Sequence, residues 1–416
     1  MTDAFSPAAQ NTFFAGRHLH LGICGSVACY KMADVTRALL KMGLHVSATL
    51  TEGARRFITP GLFEALGAMP VYVDHRPRQE MFGEEVFAHL EPGQRAGAML
   101  VAPATADALA RLAAGRACDM LSAQALAFDG PLLVAPAMNP RMWANAATRE
   151  NVATLRRRGV RLLPPERGVA ACGDEGRGRL APSGEILLAC LRALTAQDMT
   201  QLRVMVTLGP TREPWDGVRF WSNPSSGRMG AALAAAAWLR GAQVDAVCGP
   251  GCPPLPAGVR RHDVRTAREM FEAARALWPD MDLGAFSAAV ADFSPVPWGV
   301  RKFKKAGAEE GFSVAFTANP DILRTLSLER RAGQKVLGFA AETAPDMDAL
   351  MTLVRDKRQR KQADVLAGNA VNAPGCGFGT DSNSMAVADR NGHEERWASQ
   401  SKADVAWKLW SWLLRV

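Results

Sequence analysis

One pattern recurs along this chain and limits what it can fold into. A short apolar run ends in a glycine-containing or polar turn, a helical stretch follows, and another apolar run begins. From residue 17, HLHLGI leads into Cys24-Gly25-Ser26, and VACYKMADVTRALLKMG then has helical periodicity. HVSATLTE, AMLVAPAT and PLLVAPAMN are further apolar runs that end in small or polar residues. Such runs, separated by helices, predict a mostly parallel sheet covered on both faces. The pattern fades after LAPSGEILLACLRAL at the polar stretch TAQDMTQ and restarts at LRVMVTLGPTRE. MGAALAAAAWLRG reads as a helix, and AQVDAVCG, LGAFSAAVAD, KVLGFAAET and DVLAGNAV as strands. SMAVADRNGHEERW reads as a hairpin around Asn391-Gly392, and ADVAWKLWSWLLRV as a closing amphipathic helix. The expected fold is α/β: two tandem Rossmann-like domains with mostly parallel sheets, at 17–197 and 198–416, after a tail at 1–16. Ligands of open α/β sheets sit at the carboxyl ends of the strands, so two such domains imply two nucleotide-like ligands.

Composition narrows the class. The chain has 416 residues, 48% apolar and 22% charged, enough for two or three cores, which excludes a disordered chain or a disulfide-held miniprotein. Lys and Arg number 49 against 41 Asp and Glu, a net charge of +8. The cations are scattered and not interleaved with aromatics, which favours anionic metabolites over nucleic acid. The eight cysteines include no C-x-x-C pair and no His neighbours at zinc spacing, so reduced thiols and no protein-held metal are expected. Asp3 and the lack of a basic n-region argue against a secretory signal, and no window approaches the roughly 18 apolar residues of a membrane span. The expectation is a soluble cytoplasmic protein with no membrane partner.

Cys24-Gly25-Ser26 opens a helix, where backbone N–H groups and a hydroxyl meet the helix's positive end; by itself this is as readily a turn and cap as a phosphate site. Thr51, and Ala102-Pro103-Ala104-Thr105, add small and hydroxyl residues at two further strand ends, and three such ends in one sheet make a crevice for a flat cofactor. PAMNPRMW (136–143) follows an apolar strand. GVAACGDEGRGRL (168–180) packs four glycines around one Cys and one Asp, the composition of a flap that closes a reactive thiol over a ligand.

These two segments resemble the PxMNxxMW and GxxACGDxGxGRM signatures of the flavin-dependent cysteine decarboxylases. The resemblance implies FMN in the sheet crevice, held around Gly25, Ser26, Thr51, Ala102, Thr105 and Ser122. It implies that Asn139 and Met142 meet the substrate, Asn139 at its carboxylate, and that Cys172 is the acid that protonates the reduced intermediate. Decarboxylating a cysteinyl amide needs an electron sink, and oxidation of the thiol to a thioaldehyde by flavin provides one. The family also uses a His before its APAT strand. His75 and His89 compete for this place, and the spacing of His89 to Ala102–Thr105, with Leu90 following, selects His89. Leu180, Cys118, Arg95 and Gly97 depart from the family's usual residues.

The second half carries VTLGPTREPWDGVRFWSNPSSGRMG (206–230), in which Asn223-Pro224-Ser225-Ser226-Gly227 opens an Ala-rich helix, as apt for a helix cap as for an anion. Ala288–Asp292 ends a strand, Lys302-Phe303-Lys304-Lys305 follows, and Lys357-Arg358-Gln359-Arg360-Lys361 lies on a helix. Two basic runs after strand ends suit a triphosphate with Mg2+. In order, the segments Gly209–Gly227, Ala288–Asp292, Lys302–Lys305, Asn319–Ile322, Gly338–Thr343 and Lys357–Asp364 are similar to the motifs of phosphopantothenate-cysteine ligase. Ala318 stands where that family often has Lys. By this likeness Asn223 stabilises the acyl-nucleotide intermediate, Asp292 recognises the nucleotide, and Lys302 offsets charge as the carboxylate attacks the α-phosphate. Asn319, Asp321, Phe339, Lys357 and Lys361 contact the nucleotide; Arg219, Ser225, Ser226 and Gly227 contact the substrate.

The two resemblances stand in the order of the bacterial bifunctional coenzyme A enzymes, a flavoprotein domain and then a nucleotide-binding ligase domain. They imply ligation of 4'-phosphopantothenate with cysteine, using CTP and Mg2+, and FMN-dependent decarboxylation of 4'-phosphopantothenoylcysteine to 4'-phosphopantetheine. No residues are assigned to a metal, since Mg2+ would arrive with CTP. A homo-oligomer is implied, with trimeric contacts for the decarboxylase and dimeric ones for the ligase. Among rivals, a regulatory binder on the flavin fold is disfavoured by Asn139, Cys172 and Lys302, a flavin prenyltransferase by the Cys-bearing flap, and an NAD(P) dehydrogenase by the absence of G-x-G-x-x-G after the first strand.

Overall fold

The apolar runs of the first half form six strands: β1 (His18–Ile23), β2 (His45–Leu50), β3 (Val71–Val73), β4 (Ala98–Ala104), β5 (Leu132–Pro136) and β6 (Arg161–Leu162). They make one six-stranded sheet in the order β3-β2-β1-β4-β5-β6, parallel throughout. The computed structural model describes residues 11–74, 80–81, 84–85, 87–169, 173–304, 311–372 and 379–416, apart from the side chains of 80, 81, 84 and 85. His75, Cys172 and Lys305 lie outside the described residues. Strand β4 is buried along its whole length, as a central parallel strand covered on both faces must be. Each buried Leu or Val there contributes roughly 1.5–3 kcal/mol.

Polar groups also enter this sheet. Register pairs His20 with Ser47 across β1 and β2, and both are buried. His18 Nε2 lies 2.8 Å from Ser47 Oγ, and Ser47 Oγ 2.7 Å from His20 Nδ1. His20 Nε2 lies 3.0 Å from Thr49 Oγ1, which donates to Gln124 Oε1 at 2.6 Å, and Gln124 Nε2 donates to Ala88 O at 2.9 Å. Because the Thr49 hydroxyl gives its proton to Gln124, His20 Nε2 is the donor to Thr49 and Nδ1 the acceptor from Ser47. One neutral imidazole thus satisfies the chain, as burial requires.

A hairpin of β7 (Glu166–Val169) and β8 (Glu175–Arg179) follows. The second sheet contains β9 (Arg203–Leu208), β10 (Gln243–Cys248), β11 (Arg260–Asp263), β12 (Leu283–Phe286), β13 (Lys335–Glu342), β14 (Val365–Ala370), β15 (Ser382–Asp389) and β16 (Glu394–Ser401). These form an eight-stranded sheet in the order β11-β10-β9-β12-β13-β14-β15-β16. The first six are parallel, and the closing hairpin adds two antiparallel strands. The chain divides into two compact units, one spanning Asn11–Thr195 and the other Ala196–Val416. The first six strands of each sheet therefore repeat one doubly wound order.

Five helices matter below: α1 (Lys31–Lys41), α2 (Ala106–Ala114), α3 (Arg228–Leu239), α4 (Met347–Lys361) and α5 (Lys402–Arg415). Helix α3 is buried nearly all round, and its run of alanines lets α5 pack close, with Trp410 Nε1 donating to Leu233 O at 2.9 Å.

The strand predicted to end at Ala288–Asp292 stops at Phe286. Its neighbour β9 ends at Leu208, and beyond it only an isolated bridge joins Pro210 to Ala289. Ser287 N and Ala289 N still bond to Thr207 O and Gly209 O, after which the segment leaves the sheet as a loop.

Candidate functional sites

In the first unit a crevice of about 590 Å³ opens at the carboxyl ends of β1, β2 and β4, where the strand order reverses. Gly25, Thr51, Thr105, Ser122 and Met142 line it, together with Gly53 and the first turn of α2. Gly25 has to be glycine, since a Cβ there would sit 2.6 Å from the Gly53 carbonyl carbon. The two loops touch backbone to backbone and leave a rim without side chains, a fit for a flat ring system. Thr51 and Thr105 cap their helices, accepting from Ala54 N at 3.3 Å and Ala108 N at 3.2 Å. The amides at the head of α2 face the crevice, which suits a phosphate. Ser122 completes a capping box with Asp119, and Asp119 in turn pairs with Arg111, which also lines the crevice. Cys24 lies in the wall as a neutral thiol, pushed up to about 12 by burial. Ser26 and Ala102 stand beside the crevice without lining it; Ser26 caps the following turn.

The glycine-rich hairpin packs on the PAMN segment. Gly178 O accepts from Met138 N at 2.9 Å, and a Cβ on Gly178 would meet Met138 O at 2.2 Å, so the contact demands glycine. Asn139 Nδ2 donates to Asp174 Oδ2 at 2.7 Å, while its Oδ1 accepts from Arg141 N at 2.8 Å. Asp174 also pairs with Arg141. The two decarboxylase-like signatures are thus joined through Asn139 and Asp174. His89 is exposed and does not line the crevice; Phe87 and Leu90 beside it are exposed as well.

The second unit has a pocket of about 480 Å³ at the carboxyl edge of its sheet. Asn223, Ser225, Ser226 and Gly227 line it at the head of α3, Asp292, Asn319 and Asp321 on one wall, and Phe339, Lys357 and Lys361 between. The loop that left the sheet is held by two of these residues: Asn223 Nδ2 donates to Val290 O at 3.0 Å and Asn319 Nδ2 to Ala291 O at 2.8 Å. Lys357 is paired with Glu342 at 2.7 Å, and Lys361 with Asp321.

Two expected residues lie elsewhere in the unit. Arg219 pairs with buried Asp216 at 3.1 Å, and Asp216 also accepts from Phe303 N at 3.0 Å, next to Lys302. Both Arg219 and Lys302 are exposed and outside the pocket lining. Trp221, Trp298 and Val300, close to them in sequence, are exposed as well, and Trp298 packs edge-on against Phe303. The remaining polar residues of GPTREPWD act as stitches. Thr211 Oγ1 accepts from Ala291 N, and Glu213 accepts from Ala267 N and from Ser294. Sequence reasoning missed Asn369, Asn383 and Lys402, which also line the pocket. Asn369 lies near the end of β14, and Asn383 and Lys402 come from the closing hairpin and helix, elements whose only sequence signal was structural. Asp119 was legible in principle as the D-x-x-S of a capping box.

Two doubly wound sheets, each opening a ligand-sized space at its carboxyl edge, one shaped for a flat cofactor and one lined by lysines and amides, define a two-site α/β enzyme. Comparison with known proteins names the kind. Residues 8–195 match the Flavoprotein family, and residues 199–416 match the DNA/pantothenate metabolism flavoprotein C-terminal domain. The chain is 38% identical over 373 residues to the coenzyme A biosynthesis bifunctional protein CoaBC of Vibrio vulnificus (strain YJ016), covering 90% of this chain and 91% of that one. It is 39% identical to the protein of the same name from Escherichia coli (strain K12), covering 89% and 90%. For that of Bacillus subtilis (strain 168) the figures are 35% identity and 94% and 95% coverage. The chain belongs to the family of coenzyme A biosynthesis bifunctional proteins. It is a flavoprotein and a bifunctional enzyme with phosphopantothenoylcysteine decarboxylase and phosphopantothenate-cysteine ligase activities. Among the described residues no helix is long and apolar enough to cross a membrane.

Proposed function

We propose that the first unit is the decarboxylase domain (17–197), with FMN in its crevice, and the second the ligase domain (198–416), working on 4'-phosphopantothenate, CTP and cysteine with Mg2+ carried by the nucleotide, in a cytoplasmic homo-oligomer. The observation that carries this reading is the second pocket, which gathers every expected ligase residue except Lys302 and Arg219. There Lys357 and Lys361 exchange their carboxylate partners for phosphate oxygens as CTP binds. Ser225, Ser226 and the amides at the head of α3 orient phosphopantothenate. Asn223, fixed by Val290 O, holds the acyl-cytidylate until the cysteine amine displaces CMP. Lys302 and Arg219 reach the pocket of a second copy across the exposed aromatic surface, which would then be buried in a dimer.

In the first unit a bound FMN supplies the two-electron acceptor that turns the substrate thiol into an electron sink for loss of CO2. Around it the Gly25 and Gly53 loops leave room for the ring system, and the head of α2 meets the phosphate. Asn139, oriented by Asp174, takes the substrate carboxylate, and Cys172 delivers the final proton. His89, exposed beside Phe87 and Leu90, serves the crevice of a neighbouring copy, consistent with a trimeric arrangement. The test is incubation of the purified protein with phosphopantothenate, cysteine, CTP and Mg2+, followed by mass analysis. Phosphopantetheine, CMP and pyrophosphate are expected from a yellow protein; formation of none of them would sink the reading.

A further inference from the structure

We infer that Asn383 is a substrate-recognition residue of the second pocket, accepting a hydrogen bond from a hydroxyl of a phosphorylated ligand whose phosphate lies toward Lys402 and the head of α3. The inference deepens the reading of this pocket as the ligase site and rests on it.

Asn383 stands near the start of β15, is 4% exposed, and lines the pocket. Its Oδ1 has no hydrogen-bond partner among the described residues, and its Nδ2 has only the sulfur of Met229 at 3.9 Å. A buried amide oxygen left this way carries its full desolvation penalty until a donor arrives, so its place in a ligand pocket points to the ligand as that donor. The cross-strand neighbour does not fill the role. Gln400 is paired in register with Asn383, but its Oε1 accepts from Lys408 Nζ at 2.6 Å and its Nε2 has no partner among the described residues.

The surroundings select the chemistry of the donor. Lys402 is 7% exposed and lines the pocket, with its ammonium donating to Thr380 O. Arg228, Met229 and Gly230 bring the positive end of α3 to the same space. The acidic lining residues, Asp292 and Asp321, belong to the wall built from the β12 loop and the NPDI segment. A cationic donor such as an ammonium is repelled here; a neutral hydroxyl beside a phosphate is complementary to both features. The nucleotide ribose and the phosphorylated pantoyl group each offer that pair, and the experiment separates them.

Ligation is followed in the full-length protein by pyrophosphate release, varying CTP and phosphopantothenate in turn. Asn383→Leu keeps the volume and deletes the amide; Asn383→Ala serves where leucine disturbs packing, and melting temperature reports folding for both. The expected result is a rise of roughly 10- to 100-fold in KM for one of the two substrates. If the nucleotide is the source, 2'-deoxy-CTP or 3'-deoxy-CTP is penalised with the wild-type protein and no further with the variant. If the pantoyl group is the source, a phosphopantothenate analogue lacking its secondary hydroxyl behaves in that way instead. Folded variants with both KM values within about twofold of wild type overturn the inference, and so does Gln400→Leu if it reproduces the loss, since Asn383 would then be serving its neighbour. Asn223→Ala is the control for the pocket. Should that variant ligate normally, the reading of the pocket fails; should it fail to ligate while Asn383→Leu is unaffected, only this inference falls.

Discussion

At the carboxyl edge of the first sheet, polar side chains are largely committed to their own backbone. Thr51 and Thr105 cap helices, Ser122 closes a capping box, and Cys24 is a neutral buried thiol. The second pocket, reached by the same strand order, instead presents lysines already matched with carboxylates and asparagines already bonded to a loop. On the proposed reading, the first space would recognise its ligand by shape and main-chain amides. The second holds its charges in place beforehand and, on the same reading, would exchange their partners when the ligand enters. One fold therefore supports two strategies, because the strand order fixes where a ligand sits and the loops fix what it meets.

The sharpest way to break this contrast is Cys172→Ser. If binding and chemistry are separable in the first unit, flavin stays bound, since every described residue that lines the crevice is unchanged. Phosphopantetheine formation should fall by about 100- to 10,000-fold, because a hydroxyl is a far weaker acid than a thiol. The oxidised aminoenethiol product should accumulate, and its mass is the readout. Loss of flavin from this variant would mean that the flap also builds the binding site.

The second unit should behave differently. Lys302→Gln is expected to lower pyrophosphate release about 100- to 1000-fold, the usual cost of removing one preorganised charge. Lys302 lies outside its own chain's pocket, so co-expression with Asn223→Asp tests where it acts. If a second copy supplies Lys302, mixed dimers contain one site with neither lesion and regain activity. If the mixture stays as inactive as either variant alone, Lys302 works within its own chain and must move to the pocket.

How much of this was legible beforehand follows from what each segment has to do. The parallel strands were readable because a strand buried on both faces is apolar throughout, as in β4. The AAVAD segment misled because its composition is that of a strand, while beyond Phe286 its pairing is reduced to an isolated bridge between Ala289 and Pro210. The pocket residues were legible where a motif carried them. Asn383 and Lys402 were hidden in elements whose alternation and amphipathicity already explained them. Thr211, Glu213 and Asp216 sit inside a ligand-site motif and turn out to hold loops together, a role that sequence does not distinguish from ligand contact.

The smallest expected effect concerns how the two units bury polarity. The first buries a neutral chain through His20, which burial pushes down to about 3, with His18 near the surface end held at about 4 by burial and by His45. The second relies more on carboxylates held low, such as Asp198 beside Arg240. An unfolded histidine takes up its proton near pH 6.5, whereas folded His20 does so only near 3. Between those limits the unfolded state holds more protons, so stability falls as pH drops, by about 1.4 kcal/mol per pH unit for His20 alone. A depressed carboxylate contributes stability that is lost only in the more acidic range where carboxylates protonate. Melting followed from pH 7 to pH 5 should therefore shift the first unit, read by flavin release, and leave the second nearly fixed. Tryptophan fluorescence reads the second, because Trp143 is the only tryptophan before residue 215. His20→Gln, whatever its baseline stability, should flatten the first unit's slope by about 1.4 kcal/mol per pH unit. An unchanged slope would show that His20 is not the group that titrates.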